Sequence, residues 1–389
     1  MLQIEHIYEF LYSNLFFDHS LSHFPRGVPS DADTVDFSDI ITYSSDGSDT
    51  KPWVFFYDQE PILSQYIEKY IKLFKSRNIN PNFITSEQSK QLIPDYKNFY
   101  YFYHGFAALD WFRGYKILNH NKKIVKSYSK DYLSFNRLIL NDRSYRIYFT
   151  SQLLEKNILD KGAVSFSVAD KKQSWKDEIT DKNSKLSEHA KRHAVVNLSG
   201  KNIESLILDG DNLSGSQSAD ILRPQFGYRN PNFLSGREYD TDAFWHIVTE
   251  TVFYYDKLHL TEKIFKPIVS KQPFMLLAAP GNLEYLRSYG FKTFAGIIDE
   301  SYDDIKDNDA RIEAVVAQIK WYCDLTDDEK TEIQRKCEPI IEHNFHHFYG
   351  KFKEIITDEL LDNTKKLFED IGYDDANVDY ATVRKLLVS

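Results

Sequence analysis

Apolar runs and amphipathic segments alternate along much of the chain, most clearly between residues 244 and 278. An apolar run that ends in the carboxylate of Glu250 is followed by a polar loop, by an amphipathic segment that starts at Thr261, and by a second apolar run at 273–278. Short apolar runs predict buried strands, and apolar residues spaced three and four apart predict a helix. The order strand, loop, helix, strand is the repeating unit of a parallel α/β sheet.

The first 120 residues show the same alternation and predict an N-terminal α/β domain over residues 1–120. Apolar positions at helical spacing predict a helix over 4–17 and a second over 62–76. Short apolar and aromatic runs predict the strands, which are placed at 53–57, at 82–85 and within the aromatic stretch 99–105.

A second α/β domain is predicted over residues 121–345. It opens with a strand that ends in the polar pair Asn136 and Arg137, and it continues with a helix over 143–156 and a strand over 163–167. The charged stretch 169–193 has few large apolar residues, which predicts a solvated helix or an ordered insert of low stability.

The last part of the chain predicts helices without further strands. They are placed at 309–324, 327–343 and 345–368. Residues 346–389 are therefore predicted to form a C-terminal helical segment.

Composition and charge narrow the class of protein. With 389 residues the chain is long enough for two domains. Its 48 basic and 58 acidic residues give a formal net charge of −10, which argues against broad attraction to nucleic acid or to an anionic membrane. No apolar run approaches the roughly 20 residues of a membrane span, and the first residues lack a signal-peptide pattern. A cytoplasmic protein without a membrane span is expected.

Cysteine, histidine and acidic clusters predict no metal site. Cys323 and Cys337 are the only cysteines and give neither a disulfide framework nor a metal quartet. The pair His346 and His347 lacks a set of further ligands for zinc. The acidic patches are predicted to be solvated helix starts, where carboxylates suit the helix dipole, and they comprise Asp303, Asp304 and Asp307 in one patch and Asp327, Asp328 and Glu329 in the other.

The candidate binding residues gather where the apolar run at 244–250 gives way to the next helix. Ligands of parallel α/β sheets bind outside the carboxyl ends of the strands, where helix N-termini offer N–H donors. Ammonium and guanidinium groups suit a diphosphate, so Lys263 and Arg137 are candidates for that role. A carboxylate can accept hydrogen bonds from ribose hydroxyls. The residues at this rim are Glu250, Thr261, Glu262 and Lys263.

These segments resemble the donor-binding signature of the alpha-1,3-fucosyltransferase family. The resemblance covers residues 244–294 and rests on Glu250-Thr251, the helix start Leu260-Thr261-Glu262-Lys263-Ile264-Phe265, the strand at 273–278, and Asn282-Leu283-Glu284-Tyr285. Thr251 stands where that family carries Asn. The turn Asp58-Gln59-Glu60-Pro61 resembles the family's Glu-Ser-Pro turn. The layout is also similar to that of sugar transferases of bacteriophages and large viruses.

The resemblance implies a GT-B fold, in which two Rossmann-like domains face a central cleft and the C-terminal helix crosses back to the first. It implies a glycosyltransferase that takes a sugar from a nucleotide-diphosphate sugar, with a GDP-sugar favoured, and that inverts the anomeric carbon. Glu60 would be the base, and Lys263, Glu262 and Arg137 would bind the donor. No cofactor is required beyond the donor, and a divalent metal is not predicted.

The acceptor is expected to be a hydroxyl group on a glycan or on hydroxymethylated DNA. His104, Asn136 and Arg143 are candidates for contacts with the acceptor or for other secondary contacts. Without such a role, Arg143 and Arg146 have the sequence pattern of solvated helix residues. A DNA acceptor would require a local basic groove, for which the candidates are Arg113, Lys122, Lys123, Lys126 and Lys130. No particular oligomeric state is predicted.

Two other functional classes stay open at the level of sequence. Asp209-Gly210-Asp211 follows a short apolar run, as the Asp-x-Asp site of metal-dependent sugar transferases does, although the same tripeptide is an ordinary turn. A non-catalytic binding or scaffold protein on a decayed transferase fold is the second alternative.

Overall fold

The computed structural model describes residues 7–16, 22–24, 52–57, 71–72, 74–76, 80–86, 98–103, 108–109, 112, 116, 128–136, 138–166, 174–203, 206 and 242–389. The chain divides into two compact units. Unit 1 comprises Met1–Asp110 and Lys351–Ser389, and unit 2 comprises Trp111–Gly350. The sequence pattern placed the corresponding boundaries after residues 120 and 345.

Strands and helices alternate through both units. The described strands are β1 (Ser22–Phe24), β2 (Trp53–Tyr57), β3 (Pro81–Thr85), β4 (Phe99–Tyr101), β5 (Lys130–Ser134), β6 (Gly162–Val164), β7 (Ala243–Thr249) and β8 (Phe274–Leu277). The helices with defined ends are α1 (Ile7–Leu15), α2 (Tyr145–Glu155), α3 (Trp175–Thr180), α4 (Glu188–Leu198), α5 (Glu262–Ser270), α6 (Asn282–Ser288), α7 (Asn308–Cys323), α8 (Asp327–His347), α9 (Lys353–Ile371) and α10 (Tyr380–Val388).

Unit 1 is built on a parallel sheet with the order β1-β2-β3-β4. Its core is aromatic: the Phe55 ring lies 4.5 Å from Phe74 and 5.6 Å from Phe83, and Phe83 lies 5.4 Å from Phe99. Such rings bury much apolar area and also favour strands, which explains why this sheet forms from short segments.

The C-terminal helix α9 packs on the last strand of this sheet. The Tyr100 hydroxyl donates to Asp370 at 2.7 Å, and the Asn363 amide donates to the Tyr101 carbonyl at 2.9 Å. The Phe368 ring lies 5.6 Å from Phe16, which directly follows α1. The end of the chain thus completes the core of the unit that its beginning forms.

Unit 2 contains a second parallel sheet, with the order β6-β5-β7-β8. Strand β6, which follows β5 along the chain, pairs with one side of β5, and the later strand β7 pairs with its other side. Strand β7 is buried along its whole length, as expected for a strand of a parallel sheet with both faces covered. The fold is therefore mixed α/β with two parallel sheets, as the strand and helix pattern predicted.

Helix α8 runs further than predicted. It begins at Asp327 with a capping box between Thr326 and Glu329, as the acidic helix start suggested, but it ends at His347 instead of 343. The break falls at Gly350, whose φ of −115° and ψ of −105° are non-helical. The predicted helix start at 345 is therefore wrong, because residues 345–347 still belong to α8 and the next helix begins at Lys353.

The charged stretch 169–193 forms helices where it is described. Helix α4 buries Ala190, Ala194 and Leu198 on one face, and Trp175 at the start of α3 is also buried. None of the helices in the described ranges is both long and apolar enough to cross a membrane.

Asp303 departs from the prediction of a solvated helix start. It is 7% exposed, and its carboxylate accepts a hydrogen bond from the Leu283 N–H at 2.9 Å in the first turn of α6. Burial raises the pKa of Asp303 from 3.8 to about 6, against the opposing effect of the Leu283 bond. The prediction fails because the partner of Asp303 belongs to another helix.

The raised pKa of Asp303 predicts a pH-dependent loss of stability. Between pH 3.8 and about 6 the unfolded chain loses this proton while the folded chain keeps it. The free energy of unfolding should fall by about 2–3 kcal/mol from this group as pH rises through that window. The variant Asp303→Asn keeps an acceptor for Leu283, so urea unfolding at several pH values should show a flatter dependence. Exposed Asp304→Asn is the matched control, and equal pH slopes for wild type and Asp303→Asn would contradict the prediction.

Candidate functional site

The order of the strands in unit 2 reverses between β5 and β7, and polar residues follow both strands. Asn136 comes two residues after β5, and Glu250 directly follows β7. The Thr249 hydroxyl joins the two strand ends, since it lies 3.0 Å from Asn136 Oδ1 and 3.2 Å from the Phe135 carbonyl oxygen. In open α/β sheets the carboxyl ends at such a reversal form the crevice in which ligands bind.

Glu250 is fully buried and bonds to the residues around it. One carboxylate oxygen accepts from the Thr261 N–H at 3.1 Å, and the other accepts from the Thr261 hydroxyl at 2.6 Å and the Thr251 N–H at 3.2 Å. Burial raises the pKa of Glu250, while the Lys263 charge and the Thr261 hydroxyl act in the opposite direction. With no exposed surface, Glu250 can affect a ligand only through the residues that it holds.

Thr261 and Lys263 form the start of α5. Thr261 is the N-cap of this helix, and its hydroxyl oxygen accepts from the Lys263 backbone N–H. The Lys263 Nζ folds back over the helix end, 3.1 Å from Thr261 Oγ1, 3.1 Å from Thr251 Oγ1 and 3.0 Å from Glu262 Oε1. The side chains of Lys263 and Glu262 are 34% and 24% exposed. An ammonium group thus reaches solvent at the positive end of a helix dipole, which favours an anion.

A second cation lies one turn further along α5. The Lys266 Nζ stands 4.1 Å from the centre of the Phe135 ring, and that ring lies 5.7 Å from the ring of His246. Burial, together with the Lys266 charge, lowers the pKa of His246 to about 3, so this imidazole is neutral. No role was predicted for Lys266 or Phe135 from the sequence. The spacing of residues 262, 263 and 266 was the available signal, since it places them on one side of a helix.

Two residues in the first turn of α2 donate hydrogen bonds to the same edge of the sheet. The Tyr145 hydroxyl donates to the Glu250 carbonyl at 2.5 Å, and Arg146 donates to the Thr249 carbonyl at 2.6 Å and the Leu138 carbonyl at 2.7 Å. Arg146 is 3% exposed, which corrects the prediction of a solvated helix residue. Buried carbonyls need donors, and Arg146 supplies them to the last residue of β7 and to the loop after β5.

Asn136 is buried, and its polar groups bond within the protein. Its N–H donates to Ser165 Oγ at 2.7 Å, and its side-chain amide donates to the Ser165 carbonyl at 3.1 Å and to Ser134 Oγ at 3.3 Å. These bonds tie β5 to β6. Arg143 is partly exposed in the short 3-10 turn Asn141–Arg143 at the same edge.

Several predicted positions lie outside the described residues. They are Glu60, His104, Arg113, Lys122, Lys123, Lys126, Arg137, Asp209 and Asp211. Lys130 is described, and its Nζ donates to the Asp160 carbonyl at 2.7 Å. Among the described residues, no group of three or more His, Cys, Asp or Glu side chains could hold a metal ion.

Comparison with protein-family models, with curated proteins and with solved structures gives no match in any of the three. The geometry at the ends of β5 and β7 and at the start of α5 therefore provides the basis for a functional proposal.

Proposed function

We propose that the protein is a glycosyltransferase whose unit 2 holds a nucleoside diphosphate sugar at the carboxyl edge of β5 and β7. The observation that carries the proposal is the position of Lys263 at the N-terminus of α5, beside the reversal of strand order. Helix N-termini at such a reversal are where α/β proteins bind the phosphates of nucleotides.

The residues at this edge have the chemistry that such a donor requires. The Lys263 ammonium and the N–H groups of the first turn of α5 would stabilise the negative charge on the departing diphosphate. Glu262 would accept hydrogen bonds from the ribose hydroxyls once Lys263 exchanges its bond with Glu262 for one with phosphate. Lys266 supplies a second positive charge one turn away, beside the Phe135 ring.

The remaining roles in the reaction are assigned to residues outside the described part of the chain. Glu60 is the proposed base that takes the proton from the acceptor hydroxyl, and Arg137 is a further proposed diphosphate contact. Direct displacement of the diphosphate by the acceptor would invert the anomeric carbon. A GT-B arrangement and a GDP-sugar donor, which the family resemblance implies, complete the proposal.

The variant Lys263→Ala tests the proposed donor site. Loss of a charged hydrogen-bond donor should weaken nucleoside diphosphate binding by about 30- to 100-fold. The measurement is calorimetric titration with GDP, UDP, CDP, ADP and dTDP. Because the Lys263 side chain is partly exposed and α5 keeps its Thr261 cap, the far-ultraviolet circular dichroism spectrum should not change.

The matched control is Lys336→Ala, since that side chain is 50% exposed on α8. Its nucleotide affinity should equal that of the wild type. If no nucleoside diphosphate binds the wild type, or if Lys263→Ala binds as tightly as Lys336→Ala, the proposed donor site is wrong. Transfer that stops on chelation, or in Asp209→Asn, would instead favour the metal-dependent alternative.

A further inference from the structure

A second polar pocket lies on the helical layer of unit 2, between α2, α4 and α7. It is about 570 Å³ in volume. Helix α2 contributes Gln152 and Glu155, α4 contributes His189 and His193, and α7 contributes Glu313 and Trp321 to its wall. None of these residues takes part in the proposed donor site.

Buried residues hold the polar groups of this pocket in place. The Tyr148 hydroxyl is buried, donates to Glu313 at 2.6 Å and lies 3.0 Å from the Nε2 of His189. The Gln152 amide donates to the Tyr148 hydroxyl at 2.8 Å and lies 3.1 Å from His193. Because these side chains are already ordered, the protein loses less conformational entropy when a ligand binds.

The lining of the pocket also includes an exposed indole. Trp321 is 37% exposed, whereas Trp53, Trp175 and Trp245 are 2%, 3% and 1% exposed. An indole offers a flat apolar face together with one N–H donor, and such amphipathic rings are typical of binding surfaces.

The charges in the pocket nearly balance. Lys156 pairs with Glu155 at 3.1 Å, and Lys320 pairs with Asp324 through short contacts. Glu313 carries the remaining carboxylate, which the Tyr148 hydroxyl already satisfies in part. The described side chains here do not form a group that could hold a metal ion. A ligand with both donors and acceptors and with no net charge therefore fits best.

We propose that this pocket binds a neutral monosaccharide unit. A pyranose ring has one face of C–H groups, which suits the Trp321 indole, and a rim of hydroxyls that each donate and accept. The carboxylates of Glu155 and Glu313 accept from such hydroxyls, while the amide and imidazole groups of Gln152, His189 and His193 complement them. The inference does not rest on the proposed donor site.

The experiment is a titration of the full chain with the methyl glycosides of glucose, galactose, mannose, fucose and N-acetylglucosamine. Saturation-transfer NMR gives the affinity, and acrylamide quenching of tryptophan fluorescence reports the position. At least one glycoside should bind with a dissociation constant in the range of about 1–10 mM and should protect Trp321 from quenching. The variant Trp321→Phe should lose the change in quenching.

Replacing Trp321 with alanine should weaken glycoside binding by about ten-fold or more. The control is Val196→Ala, which changes a 78% exposed residue of α4 outside the pocket wall and should bind as the wild type does. The proposal is overturned if no glycoside binds at up to about 20 mM. It is equally overturned if Trp321→Ala retains the wild-type affinity.

Discussion

Replacing Arg311 with alanine is expected to lower the free energy of unfolding by about 3–5 kcal/mol. Arg311 is 1% exposed, and its guanidinium donates to the carbonyl oxygens of Phe253 at 3.0 Å, Ala278 at 2.9 Å and Ile305 at 2.7 Å. Burial lowers its pKa to about 10, so the group is charged at neutral pH. One side chain thus holds the loops after β7 and β8 and the turn before α7.

The cost arises because alanine leaves these carbonyls without donors and leaves a cavity where the side chain stood. Lysine keeps the charge but not the planar set of five donors, so Arg311→Lys should still cost about 2 kcal/mol.

The measurement is urea denaturation followed by circular dichroism. Arg335→Ala, at a 71% exposed side chain paired with Glu332 at 2.8 Å, is the matched control and should leave the free energy of unfolding nearly unchanged. Equal losses for Arg311→Ala and Arg335→Ala would refute the assigned role.

The local sequence pattern was sufficient to predict the two strands and the helix that surround the candidate site. Strands β7 and β8 begin and end, and helix α5 begins, within a few residues of the predicted positions. Each is set by a short-range signal: a continuous apolar run for the strands, and a threonine cap followed by apolar residues at helical spacing for α5. The confirmed α/β class follows from the order of these signals.

Charged residues were predicted less well, because their partners are remote in sequence. Arg146 bonds to the Thr249 carbonyl, 103 residues away, and Asp303 bonds to the Leu283 N–H in another helix. Both residues have a solvated pattern along their own segments. Sequence spacing cannot reveal a carbonyl or an N–H group that only the tertiary fold brings near.

In the candidate site, too, the local features were predicted from the sequence, whereas the contacts between remote segments were not. Thr261, Glu262 and Lys263 were placed at a helix start by their own sequence, and α5 starts there. The bonds from Glu250 to Thr261 and the position of Lys266 over Phe135 join segments separated by 11 and by more than 100 residues. The roles that sequence assigned to Glu60 and Arg137 stay predictions.

Replacing Glu250 with alanine is expected to lower the free energy of unfolding by about 3–4 kcal/mol. The carboxylate is the acceptor for three donors, the N–H groups of Thr251 and Thr261 and the Thr261 hydroxyl. Alanine would leave these donors unsatisfied in a fully buried place. The exposed Glu284→Ala on α6 is the control and should change stability by less than about 0.5 kcal/mol.

Glutamine at the same position separates geometry from charge. Either orientation of its amide sets an NH2 group against a backbone N–H, of Thr261 in one case and of Thr251 in the other. Burial raises the pKa of Glu250, so ionisation of this carboxyl group is less favourable in the folded chain than in the unfolded chain, and its contribution to stability falls as pH rises from about 4.5. A neutral amide avoids that cost, and Glu250→Gln should therefore lose only about 2 kcal/mol at pH 7 and show a flatter pH dependence than the wild type. If urea denaturation gave wild-type stability for both Glu250→Ala and Glu250→Gln, Glu250 would not be the residue that holds the start of α5.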